Sequence, residues 1–436
     1  MRRVRAQLAA VAVVSLALPA TPALAQQPGA GCTDGSVQLT VEERRLDGPV
    51  PQEILRRSGF GSVAPDFTRA LCRTHSYREA RTVVTRQGQR LWQRAVDRVQ
   101  GRGPAGGDLD RADDRPPYWA RLGMTGALRQ WRPGFGLSEA QRSALRDQLE
   151  RTSRGHDTVG FPGGTQRPGG SAKSGGTEKS GGTAKDVRRV LVTGFDPFTL
   201  DEDIRISNPS GAGALALDGT VLRTEKGPVR IETALFPVRW GDFAEGTVEK
   251  ALRPHLPEVD MFATVSQGRP GRFDVERYNG AWRGTFPDNE NVSAPGTVPV
   301  PGDAAQPQWT ATTLPYKAVT SAPTGRFPVQ DHTEVVEIPA GASEPVTRPD
   351  GPTEGSTARE GGGGDYLSNE IAYRATLLRD RLGLTIPGGH VHTPVLEFGE
   401  DNADPDTGTV TDPEFLDNRR DIVRQLRSIL RVAAGR

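Results

Sequence analysis

The stretch VRRVLVTGFDPF, Val187 to Phe198, decides the fold. Val190 to Val192 form a continuous apolar run, and Gly194 follows shortly. A strand apolar on both sides of its pleat is covered on both faces, as in parallel sheets. The texture recurs downstream. WGDFAEGTVEKALRPHL reads as a helix from about Asp242 to Leu252, ending before Pro254 because proline disfavours helical geometry in the residue ahead of it. VDMFATVSQG, Val259 to Gly268, is a second buried strand, and GGHVHTPVLEF contains a third. DPEFLDNRRDIVRQLRSILRVAA is a long amphipathic C-terminal helix. This alternation predicts a three-layer α/β domain with a mostly parallel, twisted sheet over 187–436. The segment from Asn291 to about Gly363 is rich in Pro, Thr and Gly and reads as a long excursion. Within it, YKAVTSAPTGRFPV reads as a hairpin turning at Pro323-Thr324-Gly325.

Upstream lies RGHDTVGFPGGTQRPGGSAKSGGTEKSGGTAKD, in which SGGTEK and SGGTAK are near-copies. Such a Gly/Ser/Thr/Lys segment cannot bury a core, so 155–186 reads as a flexible linker. Before it, 32–154 reads as a small all-α domain. Val84, Leu91, Ala95 and Val99 fall at helical spacing. Ser138 with Gln141 three residues on forms a capping-box signature, and that helix should stop before Gly155. Tyr118, Trp119 and Trp131 are read as aromatic anchors of a helical core rather than a cofactor site.

The chain has 436 residues, of which 35% are hydrophobic, with a mean hydropathy of -0.52. Fifty-five basic residues balance 54 acidic ones, for a net charge of +1. No block of like charge stands out, which argues against a nucleic-acid partner. The opening MRRVRAQLAAVAVVSLALPATPALAQQ has a basic start, an apolar run from Leu8 to Leu18 and a small-x-small site at Ala23-Leu24-Ala25. It reads as a signal peptide over 1–25, so the protein is expected to be secreted, touching a membrane only through that peptide before cleavage. The sequence has two cysteines, Cys32 and Cys72. In an oxidising compartment they are expected to pair, a bond worth roughly 4 kcal/mol in the chain-entropy account.

In an open α/β sheet, ligands sit beyond the C-terminal strand ends. Phe195 and Phe198 follow the first strand, Gln267, Gly268 and then Glu276 follow the second, and the third carries His390 and His392. The run GGGGDYLSNEIAYR, Gly361 to Arg374, brings Ser368 to a helix start. A hydroxyl, an imidazole and a carboxylate are the parts of a nucleophile, base and orienter set.

The local motifs narrow this. VLVTGFDPF with NPSG (Asn208 to Gly211), SQGRPGRFDVERYNG, FPDNENV, GDYLSNEIAYR and GGHVHTP, in that order, resemble the pyroglutamyl peptidase I (pyrrolidone-carboxylate peptidase) family. The resemblance covers about Val187 to Arg436 and leaves the helical region outside it. That family comprises cysteine peptidases with a Cys-His-Glu set that remove N-terminal pyroglutamate from peptides, without metal or other cofactor. Carried over, the resemblance makes Glu276 the orienter, His392 the base and Ser368 the residue at the nucleophile position. Phe195 and Phe198 would flank the pyrrolidone ring.

The departures bear on the chemistry. A serine stands where the family has cysteine, and a hydroxyl demands a well-aligned base and oxyanion donors that a thiolate does not. Tyr278-Asn279 replace a small apolar pair, Thr285-Phe286 precede Pro287, and Arg283 is displaced from the family's arginine. Two readings stay open: a serine hydrolase using Ser368, His392 and Glu276, or a catalytically degenerate member binding peptide N-termini or another small ligand.

Overall fold

A computed structural model describes residues 31–161, 187–302 and 306–436. The leader read over 1–25 and most of the linker lie outside the described residues. Among the described residues, no helix is long and apolar enough to cross a membrane.

The N-terminal part is helical: α1 (Val41–Arg44), α2 (Pro49–Ser58), α3 (Val63–Cys72), α4 (Tyr77–Val99), α5 (Arg115–Gln130) and α6 (Glu139–Ser153). The Ser138–Gln141 capping box forms, and α6 ends at Ser153. Val84, Leu91 and Ala95 on α4, with Tyr118, Trp119 and Trp131, are buried. Cys32 and Cys72 are disulfide-bonded, with Cα atoms 5.7 Å apart.

The C-terminal part is a three-layer α/β domain. Its sheet contains β1 (Arg188–Phe195), β2 (Val221–Thr224), β3 (Gly227–Phe236), β4 (Met261–Gln267), β5 (Phe273–Glu276), β6 (Val329–His332) and β7 (Gly388–Thr393). Their spatial order is β6-β5-β7-β4-β1-β3-β2. β7, β4, β1 and β3 run parallel. β5 is antiparallel to β7, and β2 is antiparallel to β3. The helices are α7 (Pro209–Leu217), α8 (Trp240–Ala244), α9 (Thr247–Leu252), α10 (Tyr316–Ser321), α11 (Leu367–Arg381) and α12 (Pro413–Ala434).

The period of two in each strand assigns residues to the two faces. Val190 and Val192 of β1, Met261, Ala263 and Val265 of β4 and Val391 of β7 join the core under α12. Leu191, Phe195 and Phe262 join the opposite core with Leu367, Ile371 and Ala375 of α11. His390 and His392 alternate with Val391, so both point to the α11 side.

Three local readings change. The helix expected over Asp242–Leu252 is two short helices, because Gly246 takes a left-handed φ of 77° that breaks the run. The expected hairpin does not form. Tyr316–Ser321 is helical, and Val329–His332 joins the central sheet edge parallel to β5. Nor does the linker begin at 155. His156 Nε2 bonds the Leu235 carbonyl at 2.5 Å, and Val159 and Phe161 pack against the α11-side core.

The helical part is seated on the α/β part through buried polar contacts. Asp196 accepts Arg121 on one oxygen at 2.6 Å and Arg154 on the other at 2.8 Å. Glu42 receives Tyr118 at 2.9 Å and Asn289 at 3.0 Å, and Arg239 lies 3.0 Å from its other oxygen. Trp92, Ala95 and Val96 share a core with Ala214, Leu215 and Leu235.

Candidate active site

The NPSG and TGFDPF motifs build the floor of the site together. Asn208 caps α7 by accepting the Ser210 amide at 3.1 Å, with Pro209 in the first helical turn. Ser210 Oγ accepts the Phe195 amide at 3.1 Å, and Asn208 Nδ2 donates to the Asp196 carbonyl at 2.9 Å. The fit is tight: a Cβ on Gly194 would stand 2.4 Å from the Ser210 carbonyl oxygen, and one on Gly211 2.5 Å from that of Phe195. This interlock fixes the chain from Phe195 to Phe198. Both rings line a largely apolar cleft with Ser266, Gln267, Tyr366 and Ser368. Phe195 is mostly core, stacked on Phe243, while Phe198 faces Tyr366 at 6.0 Å between ring centroids.

At the rim, the ladder places carboxylate against imidazole. Glu276 on β5 is directly opposite His390 on β7. His392, two residues further on the same face, is the diagonal neighbour, close enough for a long side chain to bridge. Glu276 Oε1 accepts His392 Nδ1 at 2.7 Å. Its other oxygen accepts His332 Nδ1 at 2.6 Å. Arg269 lies 3.6 Å from Oε1. Burial works against the charge on Glu276, but the two imidazoles outweigh it and hold the carboxyl well below the usual carboxylate range.

His390 has a different fate. Its Nδ1 meets Thr264 Oγ1 and its Nε2 meets Ser266 Oγ, each at 2.8 Å. Burial, with the neighbouring His392, pushes its pKa well below the ordinary value, so it is a neutral, fully bonded core ring.

The Gly361–Gly364 run folds over this pair. Gly361 and Gly364 exchange backbone hydrogen bonds at 2.9 Å, and Gly364 takes a φ of 79°. A Cβ on Gly362 would stand 2.2 Å from Glu276 Oε2, and one on Gly363 3.3 Å from His392 Cε1. The glycines thus serve close approach to Glu276 and His392 as well as the turn. Ser368 is the second residue of α11. The residue preceding that helix, Tyr366, supplies no side-chain cap, which leaves first-turn amides pointing at the cleft end with the positive pole of the helix. The Ser368 hydroxyl donates to the Gly363 carbonyl at 2.9 Å. Glu276 and His392 are therefore in direct contact, and Ser368 stands on the adjoining turn with its hydroxyl bonded to the backbone rather than to the ring.

Arg283 is committed elsewhere. It forms a two-pronged pair with Glu370 at 2.5 and 2.6 Å, and Glu370 also receives Arg374. Its Nε and Nη2 edge is thereby turned to Glu370 rather than to the cleft. Sequence reasoning missed His332 and Tyr366. Tyr366 adjoins the serine motif and could have been found by its position; His332 lies in the excursion with no local signal.

A family model described as the PA0049 N-terminal domain matches residues 23–150, and one described as PA0049, C-terminal domain, matches 189–302 and 327–397. The chain is 32% identical to the uncharacterized protein PA0049 of Pseudomonas aeruginosa, over 92% of this chain and 90% of that one. Among solved structures, a mutant pyrrolidone carboxyl peptidase of Pyrococcus furiosus is 23% identical, covering 56% of this chain and 98% of its own, with a TM-score of 0.39. The pyroglutamyl peptidase I of Bacillus amyloliquefaciens is 20% identical, covering 57% and 96%, with a TM-score of 0.40.

Proposed function

This chain belongs to the PA0049 family, and on that premise we propose that its C-terminal half is a hydrolase of pyroglutamyl-peptidase type. It would remove N-terminal pyroglutamate from peptides outside the cell, using Ser368, His392 and Glu276. One observation carries this reading: the 2.7 Å bond from His392 Nδ1 to Glu276, formed beside a cleft that Ser368 lines. With Nδ1 held, Nε2 is the nitrogen left to act as base.

Ser368 Oγ leaves Gly363, gives its proton to His392 Nε2 and adds to the pyroglutamyl carbonyl carbon. The carbonyl oxygen takes up negative charge against the first-turn amides of α11. Collapse expels the peptide amine, which takes the proton from Nε2. Water then adds to the acyl-enzyme by the same route, releasing pyroglutamate and restoring the serine. The flat lactam is held between Phe195 and Phe198.

The Ser368–Gly363 bond favours a second reading, in which the site binds such N-termini without cleaving them. A pyroglutamyl reporter assayed with wild type, Ser368→Ala and Ser368→Cys separates the two. Turnover by wild type that Ser368→Ala abolishes supports the hydrolase. Turnover by Ser368→Cys alone supports the binding module, and none in any of them removes the pyroglutamyl-peptidase activity.

A further inference from the structure

Glu276 is held at both ends. His332 ends β6, whose four residues pair in parallel with Phe273–Glu276, so that His332 lies level with Glu276. Its carbonyl accepts the Arg277 amide at 2.9 Å, which locks that register. The strand is anchored from below: Gln425 of α12 accepts the Phe327 amide at 2.9 Å and donates to its carbonyl at 2.6 Å. His332 thus arrives from the excursion, on the opposite side of β5 from His392, and takes the carboxylate oxygen that His392 leaves free.

We propose that His332 is a positioning residue of the site, which fixes the plane of the Glu276 carboxylate so that Oε1 stays on His392 Nδ1. The inference rests on the hydrolase reading above. A glutamate carboxyl rotates broadly about its last torsion, and a single hydrogen bond leaves that rotation open. Bonds to both oxygens, with Gly362 packed against Oε2, close it. A serine nucleophile gains from this more than a thiolate would, because its proton must be removed during attack by an aligned base. The His332 side chain is 11% exposed and Glu276 is fully buried, so water is a poor substitute for the ring. Burial opposes protonation of His332, and the Glu276 carboxylate outweighs it, raising the ring's pKa.

The test pairs kinetics with a readout that needs no turnover. His332→Ala removes the contact, while His332→Asn keeps a donor near the place of Nδ1. With the pyroglutamyl reporter, His332→Ala should lower kcat by about tenfold to a hundredfold, with KM held within about twofold, and His332→Asn should recover most of the loss. In imidazole-labelled protein, the deshielded Nδ1–H proton of His392 should be sharp in wild type and His332→Asn and broadened by exchange in His332→Ala. Should His332→Ala fail to fold, His332→Leu fills the space without donating and takes its place. An unchanged His392 signal with unchanged kcat overturns the proposal. If wild type itself has no turnover, the hydrolase reading fails, and the His392 signal alone decides whether His332 positions Glu276.

Discussion

Gly362 passes so close to Glu276 that a side chain there would have to occupy the space of the carboxylate, with 2.2 Å between the added Cβ and Oε2. Gly362→Ala is therefore expected to push Glu276 off His392 rather than merely stiffen a loop. Overpacking of this kind costs about 1–3 kcal/mol of stability. Urea unfolding should show that cost, and the pyroglutamyl reporter should show a loss of kcat close to that of Glu276→Gln. Full activity in Gly362→Ala would mean that the contact has room to give.

Asp196 carries the seating of the helical part. Replacing it with Asn leaves Arg121 buried against a neutral partner and Arg154 with Glu150 as its remaining carboxylate, Asp196 and both arginine side chains being about 1% exposed. Removing one member of a buried ion set costs about 3–5 kcal/mol. Because the two parts also share a core, the wild-type protein is expected to unfold in one calorimetric transition. Asp196→Asn should lower its midpoint, and two well-separated transitions in wild type would contradict the shared interior.

His156 makes stability depend on pH. Its ring is buried, and burial lowers its pKa from 6.5 to about 4. The unfolded chain binds the proton first as pH falls, so stability drops from pH 6.5 downward and levels off below about 4. The shift corresponds to about 3 kcal/mol. Gln at this position can still donate to the Leu235 carbonyl but does not titrate. The gap between wild type and His156→Gln in denaturant midpoints should therefore change across pH 4 to 6.5 and stay flat above 7. A constant gap would show that His156 does not titrate differently on folding.

The strand ends were legible because each is announced locally. TGFDPF, VER and GGHVHT couple an apolar run to glycines and chemistry-bearing residues within a few positions. Ser138 and Gln141 announce their helix start the same way. What escaped was set by distant partners. His332 meets Glu276 through a parallel crossover, and no feature of QDHTE marks it. The pairing of Asp196 with Arg121 and Arg154 joins three charges that read singly as surface residues. Gly246 broke a helix whose apolar spacing ran on through it. The direction of the Ser368 hydroxyl is a rotamer, chosen by the Gly363 carbonyl that the fold presents.

The glycine-rich stretch between the two parts looks like a natural place to trim the chain for expression. A boundary there would part Trp92 from Ala214, Leu215 and Leu235 and leave Asp196, next in the chain to Phe195, without its two guanidinium counterweights. The α/β part alone would thus carry an unpaired buried carboxylate one residue from the cleft, and the smallest piece worth transplanting spans both halves.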